Sequence, residues 1–177
     1  PRTPLPEVNA ARVPGFAAAG ETTIRTHRGD ASQAAAVVQW PSGAGVANLR
    51  ESRQLQILVQ LFNNRLLDAM RERAGASYAP VVRSDWPTDV DGGGRISAMA
   101  QLQPKDVPIF FSEAQRIATE LATKPAAQDE LDRVTEPLRQ YISRASTGNL
   151  FWLYQLEGAT ADPRIVAYLR PLLADYS

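Results

Sequence analysis

The stretch NLRESRQLQILVQLFNNRLLDAMRERAG, residues 48–75, decides how this chain folds. Leu55, Leu58, Val59, Phe62, Leu66, Ala69 and Met70 recur at three- and four-residue steps, the mark of one apolar helix face. Asn48 stands where an N-cap is expected and Gly75 where a helix stops. A helix of about 25 residues runs about 38 Å at 1.5 Å per residue.

Short β-like segments flank this helix. Before it, residues 22–28 alternate around Ile24, and residues 32–40 are small and β-branched, ending in Trp40-Pro41. Arg28-Gly29-Asp30 supplies turn residues between them, so the pair reads as a hairpin. After the helix come SYAPVVRSDW and GRISAMAQLQ, separated by PTDVDGGG, a loop on composition. In the second of these, Ile96, Ala98, Ala100 and Leu102 alternate with Ser97, Met99 and Gln101, as in a strand buried on one face.

The remainder reads as helical. Phe110, Ala114, Ile117 and Leu121 form one stripe, and Leu131, Val134, Leu138, Tyr141 and Ile142 another. Pro137 is expected to kink or split the second. A short aromatic helix follows around Phe151, Trp152 and Tyr154, then one started by Asp162-Pro163. The order β-β-α-β-β-α-α-α-α predicts an α+β fold, with a mainly antiparallel sheet and helices packed on one face. Residues 1–20, with four prolines in the first fourteen, read as a linker, and 21–177 as one domain.

Composition narrows the function classes. The chain has 177 residues, 44% hydrophobic and 21% charged, enough for a sizeable core. Nineteen basic residues balance nineteen acidic ones, so no charge excess points to nucleic acid or to an anionic membrane as partner. No apolar run reaches the roughly 20 residues of a membrane span. With no cysteine and a single histidine, His27, thiolate chemistry and an all-histidine metal site are excluded within this chain.

From the residues alone, Arg71 reads as a cationic cap on the C-terminal end of the long helix, and Tyr78 as a half-buried strand residue. Arg73 and Glu72 read as solvated helix-end charges. His27 reads as an ordinary strand-end histidine, with metal ligation as the sharper alternative. Arg28-Gly29-Asp30 matches an adhesion tripeptide but suits a turn. Gly92-Gly93-Gly94 lacks the Lys-Ser/Thr of a phosphate loop and reads as a flexible hairpin loop. The aromatics at 151, 152 and 154 read as core or as an interdomain contact.

The run LQILVQLFNNRLLDAMRERAGASYAP, between an apparent hairpin and two further strands with a helical tail, resembles the C-terminal half of M16 metallopeptidases, the pitrilysin, insulinase and mitochondrial-processing-peptidase group. The resemblance covers about Glu21 to Ser177 and is most specific over Leu61 to Pro80. It implies a clamshell of two homologous halves. The N-terminal half carries zinc through an inverted H-x-x-E-H motif, and the C-terminal half contributes an arginine and, seven positions on, a tyrosine that reach the bound peptide. Those positions match Arg71 and Tyr78, so both are expected to bind substrate.

H-x-x-E-H itself is absent, since His27 precedes Arg28, Gly29, Asp30 and Ala31. No catalytic residue and no metal ligand is therefore expected in this chain, and zinc is expected in the partner half. The implied partners are a peptide or unfolded polypeptide and the zinc-bearing half, with neither nucleic acid nor membrane. A catalytically inactive scaffold or peptide-binding module of the same fold is the alternative. Single-chain relatives of this type are often exported, which favours a periplasmic or otherwise exported location. Members of the group continue with a further helix and a closing strand, so the resemblance implies a truncated chain with a sheet edge left open.

Overall fold

In a computed structural model the chain is described over residues 22–74, 79–90 and 92–172. The proposed linker, Gly75 and Tyr78 lie outside these residues. The fold is α+β, with a three-stranded antiparallel sheet and five helices packed against it. In chain order the elements are β1 (Ala34–Pro41), α1 (Leu49–Ala74), β2 (Val81–Asp85), β3 (Arg95–Leu102), α2 (Val107–Thr123), α3 (Gln128–Ala145), α4 (Asn149–Gln155) and α5 (Arg164–Leu169).

The sheet order is β1-β3-β2, which puts the last strand in the centre. β1 pairs with β3 from Ala34↔Leu102 to Pro41↔Arg95 without a bulge, and β2 pairs from Val81↔Met99 to Asp85↔Arg95. Alternation sorts the side chains. Ala36, Val82, Ala98, Ala100 and Leu102 are buried on one face, while Val37 and Met99 stand exposed on the other. On the buried face lie α1 and α2. Their Phe62, Leu66, Met70, Phe110, Ala114 and Ile117 close one core with the sheet. Phe110, Leu66, Met70 and Ile117 are its largest fully buried side chains, each contributing about 1.5–3 kcal/mol by leaving water. Trp40 of β1 meets Phe62 of α1 with ring centroids 5.4 Å apart.

The strand expected over residues 22–28 does not form, so among the described residues the sheet opens with β1 and the expected hairpin is not made. Ile24 is the one large apolar side chain of residues 22–28 and is 82% exposed. A strand there has nothing to bury. β1 finds its partner in β3 instead. Asn48 closes a 3-10 turn, Val46–Asn48, directly before α1, and its amide donates to the Ala44 carbonyl at 3.4 Å. Pro137 does not split α3. It is exposed, and so is Arg133, whose carbonyl the missing N–H leaves free. Water can satisfy that group on the solvent face. Asp162-Pro163 does start α5, with Asp162 Oδ1 accepting the Arg164 N–H at 3.0 Å.

Glycines lace the end of β1 to the β2–β3 loop. Ser42 N–H donates to the Gly94 carbonyl at 2.9 Å, and Gly45 N–H to the Pro87 carbonyl at 2.7 Å. Trp86 Nε1 donates to the Gly45 carbonyl at 3.1 Å. A Cβ on Gly94 would stand 1.8 Å from the Gly43 carbonyl oxygen, and one on Gly43 would stand 2.3 Å from the Trp86 ring. The third glycine of residues 92–94 is thus fixed by close backbone approach, not by a need for flexibility.

Candidate functional site

The C-terminal end of α1 carries the predicted pair's first member. Arg71 and Arg73 both lie in the last turn. Two residues apart on a helix, they point about 200° apart. Arg73 turns toward α2, where its guanidinium meets Glu113 Oε1 at 3.0 Å. Arg71 is thereby directed away from α2, is exposed, and has no hydrogen bond or ion pair among the described residues. Glu72 is exposed as expected. Tyr78 and the Gly75 break lie outside the described residues, so the structure places one member of the pair.

Arg73 is more than a solvated charge. It opens a chain of ion pairs along the helices. Glu113, its side chain 3% exposed, also accepts from Arg116 Nε at 2.9 Å. Arg116 reaches on to Glu120 at 2.7 Å. Arg65 of α1 lies 4.0 Å from Glu120 and grips Glu130 of α3 with two bonds of 2.7 and 2.6 Å. The hydrogen bonds that Arg65 donates hold the Glu130 carboxyl below the usual carboxylate range, and the same bonds raise Arg65 in return. Glu113 and then Glu120 likewise raise Arg116. This series joins α1, α2 and α3 and ties down the helix end that carries Arg71.

The other sequence candidates settle into structural roles. His27 is exposed, with Nδ1 accepting the Gly29 N–H at 2.9 Å and Nε2 3.4 Å from the Gln33 carbonyl. No group of three or more His, Asp or Glu is gathered around a possible metal position among the described residues. In the Arg28-Gly29-Asp30 turn, Asp30 Oδ1 accepts from both N–H and hydroxyl of Ser32 at 2.8 Å, which holds its carboxyl below the ordinary range. Of the aromatics, Phe151 alone is half-buried, against Ile142 and Leu172. Trp152 and Tyr154 are exposed, with Trp152 Nε1 donating to the Ser146 carbonyl at 2.7 Å.

Sequence reasoning missed three buried charges: Asp106, which closes the 3-10 turn Pro104–Asp106, and two on helices, Glu113 and Arg53. Glu113 falls three residues after Phe110 and four before Ile117, inside an apolar stripe. Arg53 interrupts the row Leu49–Arg53–Ile57, is 6% exposed, and donates to the Tyr168 carbonyl at 2.6 Å. A charge at a core-facing helix position was the available signal for these two. Arg53 lines a cavity of about 760 Å³ between α1, α3, α4 and α5, with Leu138, Tyr141, Phe151 and Tyr154 on its other walls. That cavity lies at the opposite end of α1 from Arg71, about 27 Å away along the axis, and the two do not form one site.

The sequence matches no family model and no curated protein, and the structure matches no solved structure.

Proposed function

We propose that this chain is the non-catalytic, peptide-holding half of a zinc-dependent endopeptidase, closing over a peptide or unfolded polypeptide against a homologous, zinc-bearing half. What carries the reading is the contrast at the end of α1. Arg73 is committed to Glu113, while Arg71, in the same last turn, is exposed and has no hydrogen bond or ion pair among the described residues. A guanidinium donates in a fixed fork and stays charged, which suits a peptide carbonyl or the oxyanion formed from it. Tyr78, seven positions on, is the second donor by resemblance. Hydrolysis belongs to the other half, and this chain supplies grip and orientation.

The test is a fluorescence-anisotropy titration of the whole chain with a labelled unfolded polypeptide. Arg71→Ala should weaken binding at least 10-fold, the lower end of about 1.5–3 kcal/mol for a charge-assisted hydrogen bond, with Tyr78→Phe weakening it less. Binding untouched by both changes refutes the assignment and leaves an inactive scaffold of the same fold. With a quenched fluorescent peptide mixture and zinc, the chain alone should be silent and should gain activity when a zinc-bearing half is added. Cleavage by the chain alone overturns the reading outright.

A further inference from the structure

The two edges of the sheet are built differently. β2 is five residues long, carries Arg83 and Asp85, and has its outward Val82 N–H taken by Asn63 Oδ1 of α1 at 3.0 Å. Short length, charge and a covering group are the usual protections of an edge. β1 has none of them over Ala34–Gln39. Its sequence AAAVVQWP bears no charge, runs eight residues, and pairs without a bulge, with Pro41 at its end as the lone guard.

The ladder fixes which β1 groups are free. Ser42 N–H bonds to Gly94, so by alternation Trp40, Val38, Ala36 and Ala34 face β3. The N–H and C=O groups of Ala35, Val37 and Gln39 therefore point out of the sheet, with no partner among the described residues. The other edge agrees, because an outward Val82 leaves odd-numbered β3 residues to β2 and even-numbered ones to β1.

We propose that this edge pairs with the β1 edge of a second copy of the chain, antiparallel about a two-fold axis at Val37, joining two sheets into one. In this register Val37 opposes its own counterpart and Ala35 opposes Gln39 of the other copy. Each of these three pairs exchanges both backbone bonds, so every outward donor meets an outward acceptor. One step further Gln33 opposes Pro41, and the pairing ends there: proline has no N–H, Gln33 N–H is already bonded to the Asp30 carbonyl at 3.0 Å, the Gln33 carbonyl lies 3.4 Å from His27 Nε2, and the Pro41 carbonyl is left to water. Shifting the register by two residues toward Pro41 leaves a carbonyl facing a proline ring nitrogen.

Charge and surface chemistry agree with a copy as occupant. An isologous contact places each side chain near its own kind about the axis, and an uncharged strand does so without like-charge repulsion. On the open face Val81, Met99 and Val37 form a row across the sheet, with Val37 48% and Met99 44% exposed. The row runs straight to the proposed axis, where the second copy continues it. This inference is independent of the peptide-holding reading.

Sedimentation equilibrium on the full chain, with amide hydrogen exchange read residue by residue, tests it. The mass should rise from 19.3 kDa toward twice that with concentration. Protection should rise in step at Ala35, Val37 and Gln39, while Ala36, Val38 and Trp40 stay protected throughout. Val37→Pro removes only an outward N–H, which an edge tolerates, and should hold the chain at single mass. Ala35→Lys with Gln39→Lys sets like charges opposite each other and should also abolish the doubling, whereas Ala35→Glu with Gln39→Lys should restore it. That charge pair keeps the test decisive if the proline variant fails to fold. A mass fixed at one chain at every concentration, or a doubling with protection elsewhere, such as on the exposed aromatics of α4, overturns the proposal.

Discussion

Glu113 gives the sharpest test of how the helix layer is held. Its side chain is 3% exposed and touches two cations, Arg73 at 3.0 Å and Arg116 at 2.8 Å, which are themselves 61% and 45% exposed. Removing either arginine leaves the carboxylate with the other, and the lost contact is with a partly solvated group. Arg73→Ala and Arg116→Ala should therefore each cost about 1 kcal/mol. Removing both strands a nearly buried carboxylate without a cation, which costs about 3–5 kcal/mol. The double change thus exceeds the sum of the singles by about 1–3 kcal/mol, in the range found for residues sharing one partner. Urea denaturation of the four chains at neutral pH measures this through midpoints and slopes. Glu113→Gln placed in the double background should recover part of the loss, because it removes the charge that lacks a partner. Additivity within about 0.5 kcal/mol, or no recovery with Glu113→Gln, would refute the view that this carboxylate depends on its two cations jointly.

Further expectations follow from single contacts. Glu130 has its folded pKa lowered by Arg65 from a reference of 4.5, so its contribution is present above about pH 4.5 and fades as pH falls through the lower folded value. Glu130→Gln should lower the denaturation midpoint at pH 7, and the gap to the parent should close in acid; a gap that widens below pH 4.5 would be the wrong sign. Gly94→Ala drives a Cβ against the Gly43 carbonyl oxygen, where backbone must move, so thermal melting should fall well beyond the ±0.5 kcal/mol of an ordinary surface change. Phe110→Ala empties the centre of the core and should cost about 3–5 kcal/mol, readable by the same urea titration. Arg71→Ala should leave the urea midpoint within about 0.5 kcal/mol of the parent, separating its binding role from folding.

The sequence revealed those elements whose burial follows a simple period. The face of α1 from Val59 to Met70 and the alternation of β3 are both visible because one side of each element does the burying. The false strand at residues 22–28 arose because local alternation says nothing about a partner, and β1 takes its partner from far along the chain. Pro137 does not split α3, because a proline's effect depends on whether its orphaned carbonyl faces water. At the candidate site, Arg71 was legible as a helix-end arginine, and its significance came from resemblance. Glu113 is hard to read because a single glutamate among polar neighbours at 112, 115 and 116 passes for surface, and its place in the apolar stripe makes sense only once the two arginines that neutralise it are located. The tie between Gly94 and Gly43 joins segments with no local signature in common.

The placement of β3 at the centre of the sheet also governs how the chain is made. α1 closes on local contacts and can form as soon as it emerges, but β1 waits for a partner more than fifty residues downstream. At synthesis rates of about 5–20 residues per second, that wait is on the order of 3–12 s. Throughout it an uncharged, β-prone segment has both its sides bare, the kind of exposure from which nascent chains aggregate. β2 and β3 form a local hairpin late, and only their arrival covers one side of β1. Slower translation between α1 and β3 lengthens the interval, and a charge placed at Val37 or Ala35, on the face the core does not use, lessens its consequences without touching the core, at the cost of the pairing proposed between copies.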